Sequence, residues 1–315
     1  CIRDRFGDYA EEIFSAYYIA GYVGKVAAAG RAEYDLPMVV NCWLDKGGEA
    51  GQYPTGGPIA KVMEVWKYAA PAIDVFAPDI YVPNFCGICN TYTKLGNPLF
   101  IPETAVHSHA APRLVYSIGH YHAACFAPFG FEDMGQPFDD ITAYLFGVDV
   151  TDPLLQIPQD ISEYAWCAKN LDSMMPLLTS RYGSDELQAV CSETMDMTPA
   201  KPDSSLADMG NMEGDMMFDD FGFRVMMNIP LVKRKDGVCM ILRESRDTFY
   251  ILANGCMITA FSANPEKPFY DIISLEEGKF VNGCWKAGRR LNGDEASRLC
   301  FNSYELLKLK VFQYR

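Results

Sequence analysis

The stretch Pro98-Leu-Phe-Ile-Pro-Glu-Thr104 decides how the first half of this chain reads. A short apolar run follows Gly96-Asn97 and ends in an acid placed directly after a proline. An apolar run of this length, with a turn signal before it, predicts a buried parallel strand. Its terminal carboxylate, Glu103, then stands at the C-terminal tip of that strand, where an α/β barrel gathers its reactive groups. A solvated loop acid is the other reading of a lone Glu, and the neighbouring segments bear on the choice.

Outward from this strand, Met38–Leu44 (MVVNCWL), Ala72–Tyr81 (AIDVFAPDIY) and Ala123–Phe131 (AACFAPFGF) predict three more strands. Between and around them, helices are predicted over Asp8–Ala29, Ile59–Ala69, Phe85–Tyr92, Pro112–His122 and Asp152–Arg181. Asp8 is the expected cap of the first helix and Gly30 its stop. Strands alternating with helices imply βαβ units and a parallel sheet. The predicted strand tips carry Asn41-Cys-Trp43, Asp79-Ile-Tyr81, Glu103-Thr104 and Glu132-Asp133. Four units make half of an eight-stranded barrel. The other half is expected before Cys1, so the chain reads as a fragment or processed form.

Residues 184–222 change character, with ten acids against the single Lys201, and read as an irregular acidic connector. From Phe223 the apolar period switches to two, in FRVMMNIP, GVCMILRES, TFYILANGCMITAF, YDIISLEEGKF and LLKLKVFQYR. Asp236-Gly237 and Asn254-Gly255 mark turns between such runs. The expected organisation is an α/β region at 1–183, the connector at 184–222 and an all-β sandwich at 223–315.

Composition narrows the function. The 315 residues are 49% hydrophobic and 22% charged, an ordinary globular balance. A formal charge of −14 argues against nucleic acid, whose phosphates call for a basic face. No apolar window approaches the roughly 18 residues of a membrane span. Eleven cysteines, mostly inside apolar runs, read as buried free thiols in a reducing compartment, and a cytoplasmic location is expected.

Several segments resemble a known family. NCWL, GQYPTGGPIAKVMEVWKYAAPAIDVFAPDIY, NPLFIPET and FAPFGFED are similar to the second half of a glycoside hydrolase family 35-like β-galactosidase barrel. EEGKFVNGCWKAGRRLNGDE at 276–295 is similar to the β-domain that follows the barrel in a bacterial subgroup. These segments cover most of 9–150 and 223–315. The resemblance implies the second half of a (β/α)8 TIM barrel followed by a C-terminal β-sandwich. It also implies a retaining hydrolase of terminal β-galactosides that works by double displacement. If the four strands are the fifth to eighth, Glu103 takes the nucleophile position. The family's Asn-Glu acid/base pair does not occur between Cys1 and the first strand, so that carboxyl is expected upstream. A truncated or degenerate carbohydrate-binding protein without catalysis is the alternative.

Around Glu103, Tyr81 can donate to the nucleophile or pack as a core phenol. Asn41 can bind a sugar hydroxyl, and Trp43 can stack on a sugar face or fill the rim. Glu132 can bind a hydroxyl or form a rim ion pair. No cofactor and no metal are expected. Cys86-Gly-Ile-Cys89 lacks a second such pair and a thioredoxin-like context. His107-Ser-His109 and His120-Tyr-His122 read as surface or capping histidines rather than a joint metal site. Asn292-Gly293 reads as a turn, and Trp285 as domain packing rather than carbohydrate binding. The expected partner is a small-molecule carbohydrate, with neither nucleic acid nor membrane; a homo-oligomer stays open.

Overall fold

Four strands form a parallel sheet in strict chain order: β1 (Val39–Cys42), β2 (Val75–Ile80), β3 (Phe100–Thr104) and β4 (Cys125–Pro128). The computed structural model describes residues 2–45, 49, 51–105, 110–133, 135–136, 160–194, 212–232, 236–297 and 299–315. The chain groups into two compact units, Cys1–Val106 with Ala123–Phe131, and His107–His122 with Glu132–Arg315.

In the first unit a short helix α1 (Ile2–Phe6) leads into the long helix α2 (Ala10–Glu33). Asp8 does not cap α2: the preceding residue is Tyr9, without a side-chain cap bond, and Asp8 sits in a 3-10 turn. Nor does Gly30 stop it, since the helix runs on to Glu33 and Gly30 only accepts the closing bond from Tyr34 N–H. The buried side of α2 carries Glu12, Ala16, Ala20 and Gly24, one residue per turn. Ala16, Ala20 and Gly24 are small because neighbours come close. A Cβ on Gly24 would lie 2.8 Å from Ala70 Cα, and one on Gly56 2.7 Å from Ser15 Cβ.

Helix α3 (Met63–Ala69) brings Trp66 into this core, and its indole N–H donates to Gly56 O at 3.0 Å. Glu12, though buried, accepts from Tyr53 OH at 2.9 Å and pairs with Lys61 at 3.0 Å, which ties the loop after β1 to α2. Buried charge is tolerated when paired in this way. Helix α4 (Phe85–Tyr92) follows β2. Asn97, also buried, uses its amide on Phe76 N, Phe76 O and Tyr92 O at 3.0, 2.9 and 2.8 Å. One side chain thereby satisfies backbone groups of β2 and of the end of α4, setting where β3 begins.

In the second unit, helix α5 (Ala110–Tyr121) and helix α6 (Ser162–Ser180) pack together. Two antiparallel sheets complete the unit. One has order β13-β10-β7-β6, from β6 (Met212–Phe218), β7 (Phe221–Met227), β10 (Cys256–Ser262) and β13 (Leu299–Phe301). The other has order β12-β11-β14-β9-β8-β5. Its strands are β5 (Leu187–Cys191), β8 (Val238–Ser245), β9 (Thr248–Asn254), β11 (Phe269–Val281), β12 (Cys284–Leu291) and β14 (Glu305–Tyr314). Both sheets feed one apolar cluster, centred on Phe218, Phe221, Phe223 and Phe249.

The described parts of 184–222 are more regular than an acidic connector: they hold β5 and most of the hairpin β6–β7. Alternation explains this. Leu187, Ala189 and Cys191 are buried on one face, so the acids flank strands rather than replace them. The helices α5 and α6 also belong to the second unit, and α5 packs on β5 and β8, where a Cβ on Gly119 would meet Ala189 Cβ at 2.6 Å. Residues 195–211 and 137–159 lie outside the described residues, and with them the start of the helix expected from Asp152. Among the described residues, no helix is long and apolar enough to cross a membrane.

Candidate functional site

The site begins with an irregularity in β3. Ile101 pairs with Phe126, and Thr104 with Pro128, so three residue steps on β3 match two on β4. One extra residue sits at Pro102-Glu103. A proline has no N–H for the ladder, and a bulge of this kind re-aims a side chain. On the other side, register is intact: Asp79 pairs with Glu103 and Ile80 with Thr104. Thr104 Oγ1 is buried and donates to Ile80 O at 2.9 Å, locking the two tips together.

Four polar side chains meet along β1–β3. Tyr81 OH donates to Glu103 Oε2 at 3.1 Å. Asn41 Nδ2 donates to Asp79 Oδ1, also at 3.1 Å. Asp79 and Glu103 occupy paired positions on adjacent parallel strands, whose backbones run about 4.8 Å apart. Burial pushes the Asp79 carboxyl up to about 6, the Glu103 charge adds to this, and the Asn41 amide opposes it. Burial and then the Glu103 charge raise the Tyr81 phenol, which keeps it a hydrogen-bond donor. The arrangement offers one carboxylate held by a phenol beside a second carboxyl that protonates readily.

Of the residues predicted from sequence, Asn41, Tyr81 and Glu103 therefore come together. Trp43 follows the end of β1 with its side chain half exposed, and its carbonyl accepts from Tyr92 OH at 3.0 Å. Glu132 is exposed in a 3-10 turn, Phe131–Asp133, and falls in the second unit. Asp79 was named as part of a strand tip but not as a site residue. Its signal was present: it stands two residues before Tyr81 on the same alternating face, in a strand otherwise apolar.

Cys86 and Cys89 are both buried on α4. His122 Nδ1 accepts from Gly183 N–H at 2.7 Å, so its other ring nitrogen carries the proton toward Leu187 O at 3.1 Å. His120 stacks on Tyr116, ring centres 4.7 Å apart. His107 and His109 lie outside the described residues. Among the described residues no group of three or more His, Cys, Asp or Glu is arranged to hold a metal. Ten cysteines are described, and none is in a disulfide.

Comparison with protein families gives one finding. Residues 168–301 match the family model described as a domain of unknown function (DUF5597). The match begins within α6, ends at β13 and lies wholly in the second unit. It includes the 276–295 segment that resembles a barrel-following β-domain. The curated proteins contain no match to the chain.

Proposed function

We propose that this chain belongs to a retaining glycoside hydrolase acting on terminal β-galactosides, with Glu103 as nucleophile. The observation that carries the reading is the Tyr81 hydroxyl on Glu103 at 3.1 Å. A nucleophilic carboxylate must be ionised and aimed, and a neutral donor on one oxygen does both while leaving the other lone pairs for attack. Parallel strands in the order β1-β2-β3-β4, with polar groups at their C-terminal ends, fit consecutive strands of a (β/α)8 barrel. A doubly wound sheet would reverse strand order at its ligand crevice instead.

Double displacement needs a second carboxyl about 5–5.5 Å away to protonate the leaving oxygen. The resemblance assigns that part to an Asn-Glu pair that these residues do not contain, so the acid/base lies outside residues 1–315 in this reading. Asn41 and Trp43 then border the site as sugar contacts, a hydroxyl partner and an aromatic face. A Glu103 oxygen attacks the anomeric carbon as the aglycone leaves with the bonding pair, protonated by the acid/base. Water then attacks the same carbon, giving a proton to the acid/base, and Glu103 is released as carboxylate.

In the full-length protein, Glu103→Gln is expected to reduce hydrolysis of an aryl β-galactoside by several powers of ten without disturbing the circular dichroism spectrum. A folded Gln variant with near-normal turnover would overturn the assignment and favour a chain that only binds carbohydrate.

A further inference from the structure

The second carboxyl of the site has no role in the scheme above, yet it is built in. Asp79 pairs in register with Glu103, and its own oxygen is held by Asn41 at 3.1 Å. Two carboxylates at paired positions of adjacent strands repel, so both cannot be ionised cheaply. The other titratable groups interacting with Asp79 are Cys42 on β1, Tyr92 on α4 and Tyr81 directly after β2. Burial drives all three upward and keeps them neutral. Among the described residues, the charge that Asp79 feels is therefore that of Glu103.

We propose that Asp79 is a positioning residue for the nucleophile, holding a proton in the free enzyme and releasing it when Glu103 is esterified. This rests on the glycosidase reading. While Glu103 is a carboxylate, a neutral Asp79 leaves it as the one negative charge of the pair. Once Glu103 becomes a neutral glycosyl ester, burial still pushes the Asp79 carboxyl up but the Glu103 repulsion is gone, so Asp79 gives up its proton more readily and carries the pair's charge. The ionised Asp79 then disfavours regenerating a second carboxylate beside it, so its reprotonation accompanies breakdown of the intermediate. Asn41 is the hand-over partner, since its amide favours the charged form of Asp79.

The test follows protons rather than turnover. The full-length protein is trapped with 2,4-dinitrophenyl 2-deoxy-2-fluoro-β-galactoside in weakly buffered solution. A Glu103 oxygen forms the bond to the anomeric carbon, and the aryl oxygen leaves with its electron pair as a phenolate that needs no proton near pH 6. Any proton released therefore comes from the protein. Asp79 titrates at about 6 in the free protein. At pH 6 the wild type is expected to release a fraction of a proton, at most about half, per label more than Asp79→Asn, and at pH 8 about none. The comparison removes whatever the acid/base itself releases. Asn41→Ala, which keeps Asp79, should move the pH of half-release upward, so the inference stays testable if Asp79→Asn does not fold. A label on Glu103 with equal proton release in wild type and Asp79→Asn, or with no shift in Asn41→Ala, overturns the inference and leaves the glycosidase reading standing. A label on another residue overturns both.

Discussion

The central strands β8 and β9 of the second unit and the outer strands β1 and β4 of the first unit's sheet are buried in opposite ways. Every residue of β9 is buried, and β8 is buried from Val238 through Leu242. In β1 only Cys42 is buried, and in β4 only Pro128. Parallel strands usually need cover on both faces, whereas paired antiparallel sheets can close on a core between them. The second unit does this, with Phe221, Phe223 and Phe249 at or below 1% exposure. The first unit has its own core around Trp66 and Phe76, and leaves Tyr18 and Tyr22 on the surface of α2, at 60% and 71% exposure. It also places its polar groups where the sheet's strands end. The phenylalanine cluster thus lies in the second unit, and the group of Asn41, Asp79, Tyr81 and Glu103 in the first.

The largest effect expected from this contrast is on stability. Phe249 meets Phe218, Phe221 and Phe223 at ring distances of 5.0–5.5 Å, so Phe249→Ala leaves a cavity that cannot collapse easily. A loss of about 3–5 kcal/mol is expected, read from the denaturant midpoint. Tyr22→Ala on the exposed face of α2 should change stability by about 0.5 kcal/mol or less. Equal costs for the two would break the comparison.

Asp79 sharpens it from the other side. A carboxyl raised in the folded state means that the native protein binds more protons than the unfolded chain between about pH 4 and 6. Stability therefore falls as pH rises through that window and stays reduced above it. Replacing Asp79 by Asn removes the titration. After allowance for solvent screening at this half-exposed site, Asp79→Asn should gain about 1 kcal/mol at pH 7 relative to pH 4. A variant whose advantage does not grow with pH would show that Asp79 carries no such strain.

The parallel strands were legible because their apolar runs are short and bounded by turn residues, and helix α4 was read at its observed limits. Helix ends were less legible, because Gly30 favours a stop only where nothing packs beyond it, and here α2 continues to Glu33. Strands β5 and β6 were hidden by composition: acids at Asp185, Glu186, Glu213 and Asp215 outweigh the alternation beneath them. Strand β12 was missed for a related reason, since its residues are mostly exposed and charged, as in Lys286, Arg289 and Arg290. The turn before it is legible in retrospect: Asn282 and Gly283 both have positive φ, 51° and 74°, as a two-residue hairpin turn requires. In the site, Glu103 and Tyr81 could be read as strand tips, but the pairing of Asp79 with Glu103 could not. It depends on register between strands, and an extra residue on β3 resets that register on one side only.

The central claim is that Glu103 forms the covalent bond to sugar, and peptide mapping tests it most directly. After the full-length protein is inactivated with the fluorogalactoside reagent, mass spectrometry should find one galactosyl label per chain, on the peptide that contains Glu103. A label on a different carboxylate, or inactivation without any covalent adduct, would contradict the account.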